Sequence, residues 1–246
     1  MSNSATAPTS TTASSPPSAS NQAPEQETVD ISAHRRVQNY PPSQGSPIEI
    51  IACGALAAHI REIATKRGWQ VTVRPLSAAL HNRPDKIKGH SERLLATPPA
   101  PNSRQILAYA DCGTYGALDQ LAEEKGTQRL PGLHCYDLYA GEAQIEQLFA
   151  EEPGTYLLTD YLIKSFERSV IKPLGLDRHP DLWQDYFGHY TRVVWLAQRA
   201  TSELEEAATR IARQFNLPLT RIDTGTTGLE AALAQAIEPP RCHPTR

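Results

Sequence analysis

The chain has 246 residues, 39% of them hydrophobic and 21% charged, with a formal net charge of -3. That length suits one large domain or two small ones, and the balance of charge offers no basic footprint for nucleic acid. No apolar stretch approaches the ~20 residues that span a bilayer, so a membrane partner is not expected. Four cysteines are too few for a disulfide scaffold.

Residues 1–46 are Ser, Thr, Ala, Pro and Gln with almost no large apolar side chain. Such a segment cannot bury enough surface to offset its ordering entropy, and a disordered tail is expected there. It has no charged start followed by an apolar core, so a cytoplasmic chain is expected, with its cysteines as thiols, metal ligands or small buried hydrophobes.

Beyond the tail the hydrophobic period alternates. "PIEIIAC" (47–53) is a short apolar run ending at Cys53, and "GALAAHIREIATKRG" has helical spacing with Gly68 as a stop. "WQVTVRPL" (69–76) reads as a second strand, and "PDKIKGHSERLLA" (84–96) as a helix opened by Pro84. "TPPAPNSR" (97–104) is a surface loop. "RQILAYADC" (104–112) is a third strand ending at Cys112, followed by a helix over 117–126. Then come a helix in "GEAQIEQLFAEEPG", a strand over 155–160, a helix in "YLIKSFERSVIKPLG", a strand over 192–198, a helix over 202–216 and a strand over 217–224. "GLEAALAQAI" closes as a helix, and 237–246 reads as a loose end that includes Cys242.

Strands alternating with helices of this length require crossover connections, hence a largely parallel sheet with helices on both faces. The expected fold is a single α/β domain of Rossmann-like type over 47–236, with its strand order left open.

In open α/β sheets, ligands collect outside the carboxyl ends of the strands. Cys53 and Cys112 each end a strand and each precede a glycine, so both should face one rim. Alone, either would read as a small core residue. "LPGLHCYDLYAG" (130–141) adds His134 and Cys135, and the loop after the second strand adds His81. Thiolates and imidazoles are the usual ligands of zinc. Three thiolates with one imidazole would close a structural tetrahedral site, and three ligands with an open position would suit a catalytic one.

Gly113 and Gly116 in "CGTYG", and Asp223 and Gly225 in "DTGTTGLE", offer a second reading, in which backbone N–H groups of strand-to-helix turns hold an anionic cofactor. The bland reading is a pair of tight βα turns. Lys164, Arg168 and Lys172 fall at four-residue spacing on one helix face, and Asp160 ends a strand where it could orient a histidine or act as a base. The aromatic run "HPDLWQDYFGHYTR" (179–192) suits packing over the sheet, or a lid or partner surface.

"IACGAL", "LHNRPDKI", "YADCGTYGALD", "RLPGLHCYDLYAG", "PGTYLLTDYLIKSFE", "GLDRHPDLWQDYFGHYTRVVWLAQ" and "DTGTTGLE", in that order from about residue 48 to 233, resemble the domain of unknown function family 1638. The resemblance implies that the cysteine and histidine blocks form a metal or cofactor site, at Cys53, His81, Cys112, His134 and Cys135 here. It also implies a context of corrinoid-dependent methyl transfer.

Three functions follow as expectations. The first is a metal site with Cys53, Cys112 and Cys135 as thiolate ligands and a histidine as the fourth; zinc is the first choice, an iron–sulfur cluster or a corrinoid the second. The next is a metal-free enzyme in which Cys53 and Cys112 face each other across a substrate as an acid/base pair, as in two-cysteine racemases. The last is a non-enzymatic metal or cofactor carrier, or an assembly partner, that docks another protein through the aromatic run.

Overall fold

The computed structural model describes residues 47–98 and 103–238. The N-terminal tail to residue 46, Cys242 and most of the C-terminal end lie outside them. Among the described residues seven strands form two all-parallel sheets. The first has the order β2-β1-β3-β4 and the second the order β5-β6-β7. Their strands are β1 (Ile48–Cys53), β2 (Val71–Leu76), β3 (Arg104–Ala108), β4 (Gln128–Arg129), β5 (Thr155–Thr159), β6 (Arg192–Ala197) and β7 (Leu219–Asp223). The helices between them make this an α/β fold of Rossmann-like βα units, as expected.

Helix α1 (Ala57–Arg67) follows β1, α2 (Ile87–Leu95) follows β2, and α3 (Ala117–Lys125) follows β3. Gly68 ends α1 in the left-handed conformation, its N–H donating to Thr65, as the sequence suggested. Five consecutive residues of β1, Glu49 to Cys53, are buried. Successive strand residues point to opposite faces, so both faces of this strand are covered.

The second sheet shows the same alternation. Leu157, Val194 and Leu196 pack with helix α5 (Glu142–Glu151), which follows the short α4 (Asp137–Ala140). Leu158, Val193 and Trp195 pack on the other face, with α6 (Asp160–Phe166) and α9 (Ser202–Phe215). A π-helical stretch (Glu167–Ile171) and α7 (Lys172–Leu174) continue α6. That stretch breaks the α-helical spacing expected for Lys164, Arg168 and Lys172, all three of which are exposed. The aromatic run forms a 3-10 turn and α8 (Trp183–Phe187), and Trp183, Phe187 and Tyr190 pack against Tyr156 and Phe215. It belongs to the core of the second sheet.

The last helix, α10 (Thr227–Ile237), returns to the first sheet, where Leu229 and Leu233 are fully buried. Gly228 makes this possible: a Cβ there would lie 2.7 Å from the Leu138 carbonyl oxygen. The glycine of "DTGTTGLE" therefore lets α10 abut α4. Among the described residues no helix is long and apolar enough to cross a membrane.

Candidate functional site

Every strand of the first sheet delivers one residue to its carboxyl rim. Cys53 is the last residue of β1 and is buried. Gly54 follows because a Cβ there would sit 2.6 Å from the Leu76 carbonyl oxygen at the end of β2. His81 lies in a 3-10 turn (Ala78–Asn82) just beyond β2 and is exposed to solvent.

Cys112 departs from the sequence expectation. Strand β3 stops at Ala108, and Cys112 sits in a turn with φ 51°, a conformation that costs a residue with a Cβ about 1–2 kcal/mol. Gly113, Tyr115 and Gly116 are left-handed as well. The Asp111 carboxylate holds this loop, accepting from Thr114 Oγ1 at 2.7 Å, Tyr115 N at 3.0 Å and Gly116 N at 2.8 Å. Those contacts keep the Asp111 carboxyl below its ordinary pKa, against the opposing effect of burial. Of the loop N–H groups, those of Tyr115 and Gly116 thus already face an internal carboxylate.

Cys135 enters from the loop after β4, a two-residue strand the sequence reading left out. Asp137 organises this loop by accepting from Leu133 N and His134 N at 2.7 and 2.9 Å. The two loops are joined by Asp111 N to Gly132 O (3.0 Å) and Cys112 N to Leu133 O (2.7 Å). Arg129 stitches them further: its Nη1 donates to the carbonyls of Tyr109, Leu130 and Gly132, while Nε and Nη2 hold Asp119.

The result is a sulfur pair, Cys112 Sγ and Cys135 Sγ, 3.8 Å apart. Cys135 is half-buried. Cys112 is lowered to about 5, first by the Cys135 thiol and then by the His81 imidazole, in opposition to burial. The Cys135 thiol is pushed well above its ordinary range by Cys112, Cys53 and burial. The shifts of the two thiols thus run in opposite directions, Cys112 downward and Cys135 upward. Cys53 is also lowered, chiefly by Cys135, and His81 is raised, chiefly by Cys112.

Tyr109 was not singled out from sequence, although it lies inside "YADCGTYGALD". Its side chain is 1% exposed, and its hydroxyl has no hydrogen-bond partner among the described residues. Burial, followed by the charges of Cys53 and the other thiols, pushes its pKa up. The Cys53 thiol is the group with which this buried hydroxyl interacts, without a well-formed hydrogen bond.

The remaining candidates lie apart from the sulfurs or are engaged elsewhere. His134 is exposed and stacks on Tyr136 at 5.9 Å. Asp223 pairs with Arg221, and the Thr224 and Gly225 N–H groups donate to Ala197 O in the second sheet. Asp160 is 2% exposed and accepts from Trp195 Nε1, Gln198 N and Arg199 N at 2.9, 3.2 and 2.7 Å. These bonds tie the ends of β5 and β6 together. His59, another residue the sequence reading passed over, bonds Tyr139 Oη at 2.8 Å.

Beside the sulfurs opens a cavity of about 500 Å³, with Cys53, His81 and Cys135 in its wall and β5 along one side. Among the described residues, no three His, Cys, Asp or Glu side chains are already placed to hold a metal ion together.

Fold and rim together define an α/β protein with a thiol cluster at the carboxyl ends of a parallel sheet. The chain belongs to the family described as "Protein of unknown function (DUF1638)", whose model matches residues 75–233. The match takes in His81, Cys112, His134 and Cys135 and begins after β1, so Cys53 precedes it. No curated protein and no solved structure matches the chain.

Proposed function

We propose that this protein binds a thiophilic metal ion, zinc as the first choice, with Cys53, Cys112 and Cys135 as ligands and His81 as the fourth. The observation that carries this reading is the Cys112–Cys135 sulfur separation of 3.8 Å, with Cys53 close enough to feel both thiols. Two thiolates on one tetrahedral zinc, each ~2.3 Å from the ion, lie ~3.8 Å apart. Closing the set requires at least one of the four side chains to re-orient, since no three donors are yet in place. Binding would release whatever protons the thiols still carry, since only thiolates ligate. A thiolate held by metal is also the group through which methyl transfer would run.

A second reading takes the Cys112 thiol, lowered to about 5 in part by the His81 imidazole, as a nucleophile, with His81 in the wall of the cavity. That is the constellation of an activated thiol nucleophile. The acid/base pair expected of Cys53 and Cys112 is a separate arrangement from the Cys112–Cys135 contact, and the short contact supports ligation because two sulfur ligands of one metal lie that close.

Elemental analysis and an absorption spectrum of oxygen-protected protein, wild type against Cys112→Ser, separate the two. Near-stoichiometric metal that the substitution removes supports ligation. A metal-free wild type that retains a reactive Cys112 leaves the nucleophile reading and ends the metal one.

A further inference from the structure

The cavity beside the thiols has an unusual lining. Among the described residues not one aspartate, glutamate, lysine or arginine faces it. Its wall is built instead largely from Tyr136, Tyr139, Tyr156, Tyr161, Tyr190 and Phe187, with Leu157, Leu162 and neutral polar side chains such as Thr155, Thr159 and Asn82 between them. A tyrosine hydroxyl, with an ordinary pKa of about 10, is neutral at physiological pH, so the aromatic wall carries no charge. The volume of about 500 Å³ falls within the range of small-molecule sites.

An organic anion entering this space would lose its hydration and find no lysine or arginine. Among the described residues the basic side chains in its wall are the imidazoles of His81 and His189. An organic cation would find no carboxylate. Either charge would be buried without a counter-charge, which is costly. A neutral ring loses little hydration and gains contact with aromatic faces and edges.

We infer that this cavity takes an uncharged, ring-containing small molecule, and that it holds one end of that molecule against Cys53, Cys135 and His81. The inference shares its location with the proposed metal site and deepens that reading by naming the class of molecule brought to it. It does not need the metal to be present.

The test uses three probes with one ring system and three charges: naphthol, naphthoate and naphthylmethylammonium. Binding is measured by equilibrium dialysis on protein as purified and again after chelator treatment. Naphthol is expected to bind once per chain, at least about tenfold more tightly than either ion, in both preparations. Two variants on the exposed part of the wall locate the site. Ala79→Trp should weaken naphthol binding, and Asn82→Lys should raise the affinity for naphthoate. The inference is overturned if no probe binds, if either ion binds as well as naphthol, or if neither variant changes any affinity. Naphthol binding to a protein found to lack metal would sustain this inference while ending the metal reading. Stoichiometric metal with selectivity for an ion would do the reverse.

Discussion

Arg129 should hold the sulfur pair together although it touches neither sulfur. Its side chain is only 12% exposed, and its Nη1 serves three carbonyls, one of them at 2.7 Å and two near the outer limit at 3.3 and 3.4 Å. Hydrogen bonds from a charged donor are worth roughly 1.5–3 kcal/mol each, and the longer ones count for less. The Asp119 partner is 58% exposed, so that ion pair contributes about 1 kcal/mol at most. Arg129→Ala should therefore cost about 3 kcal/mol, and Asp119→Ala about 1 kcal/mol or less. Denaturant midpoints at unchanged slope would measure both. Because Arg129 joins the two loops, its loss should also quicken alkylation of Cys112 by iodoacetamide. Equal costs for the two substitutions, or unchanged Cys112 reactivity in Arg129→Ala, would refute the carbonyl role.

Cys112, lowered from 9.0 to about 5, should be a thiolate throughout the neutral range in reduced, metal-free protein. The difference in ultraviolet thiolate absorbance between wild type and Cys112→Ser should appear as pH rises through about 5, and Cys135→Ala should move that step upward more than His81→Ala does. The corresponding stability is present in full above the unfolded thiol pKa and lost as pH falls towards about 5. Cys135 and His81, both raised, act in the opposite sense. A wild-type step remaining near 9.0 would contradict this assignment. Tyr109→Phe removes a buried hydroxyl that makes no well-formed hydrogen bond and only neighbours the Cys53 thiol, so thermal unfolding should show unchanged or slightly higher stability, by up to about 1 kcal/mol; a large loss would mean that the Cys53 contact is a full hydrogen bond. Cys112→Gly should be more stable than Cys112→Ala by about 1 kcal/mol, because only glycine adopts the left-handed backbone of this turn without strain. Equal melting temperatures would argue that the turn relaxes.

Six of the seven strands were legible because each is an apolar run between turn signals, and period alone marks such runs. Their division into two sheets was not legible. Pairing is set by which edges meet, and Ile50–Cys53 and Val193–Ala197 look alike as buried central strands although they belong to different sheets. Strand β4 escaped because two residues, Gln128 and Arg129, have no period. Cys112 was misplaced by a subtler cause. "AYADC" continues the apolar run of β3, but Asp111 turns the chain by accepting from three groups of the next five residues. An aspartate before "CGTYG" is a turn signal, and it bears on where Cys112 points.

The missed strand and the misplaced cysteine change what brings the site together. Two cysteines at the ends of β1 and β3 could have been coincidence, since small buried thiols are common in such positions. With β4 in place, all four neighbouring strands of the first sheet contribute in turn: His81 after β2, Cys53 at the end of β1, Cys112 after β3 and Cys135 after β4. Parallel strands have their carboxyl ends on one side, so their loops converge there. Convergence alone would not bring Cys112 Sγ and Cys135 Sγ to 3.8 Å. That distance is set by the backbone bonds from Asp111 and Cys112 to Gly132 and Leu133, by the Arg129 bridge, and by a left-handed residue at Cys112. A core cysteine needs none of these. Their presence at one cysteine is the physical reason to treat this rim as a site rather than as packing.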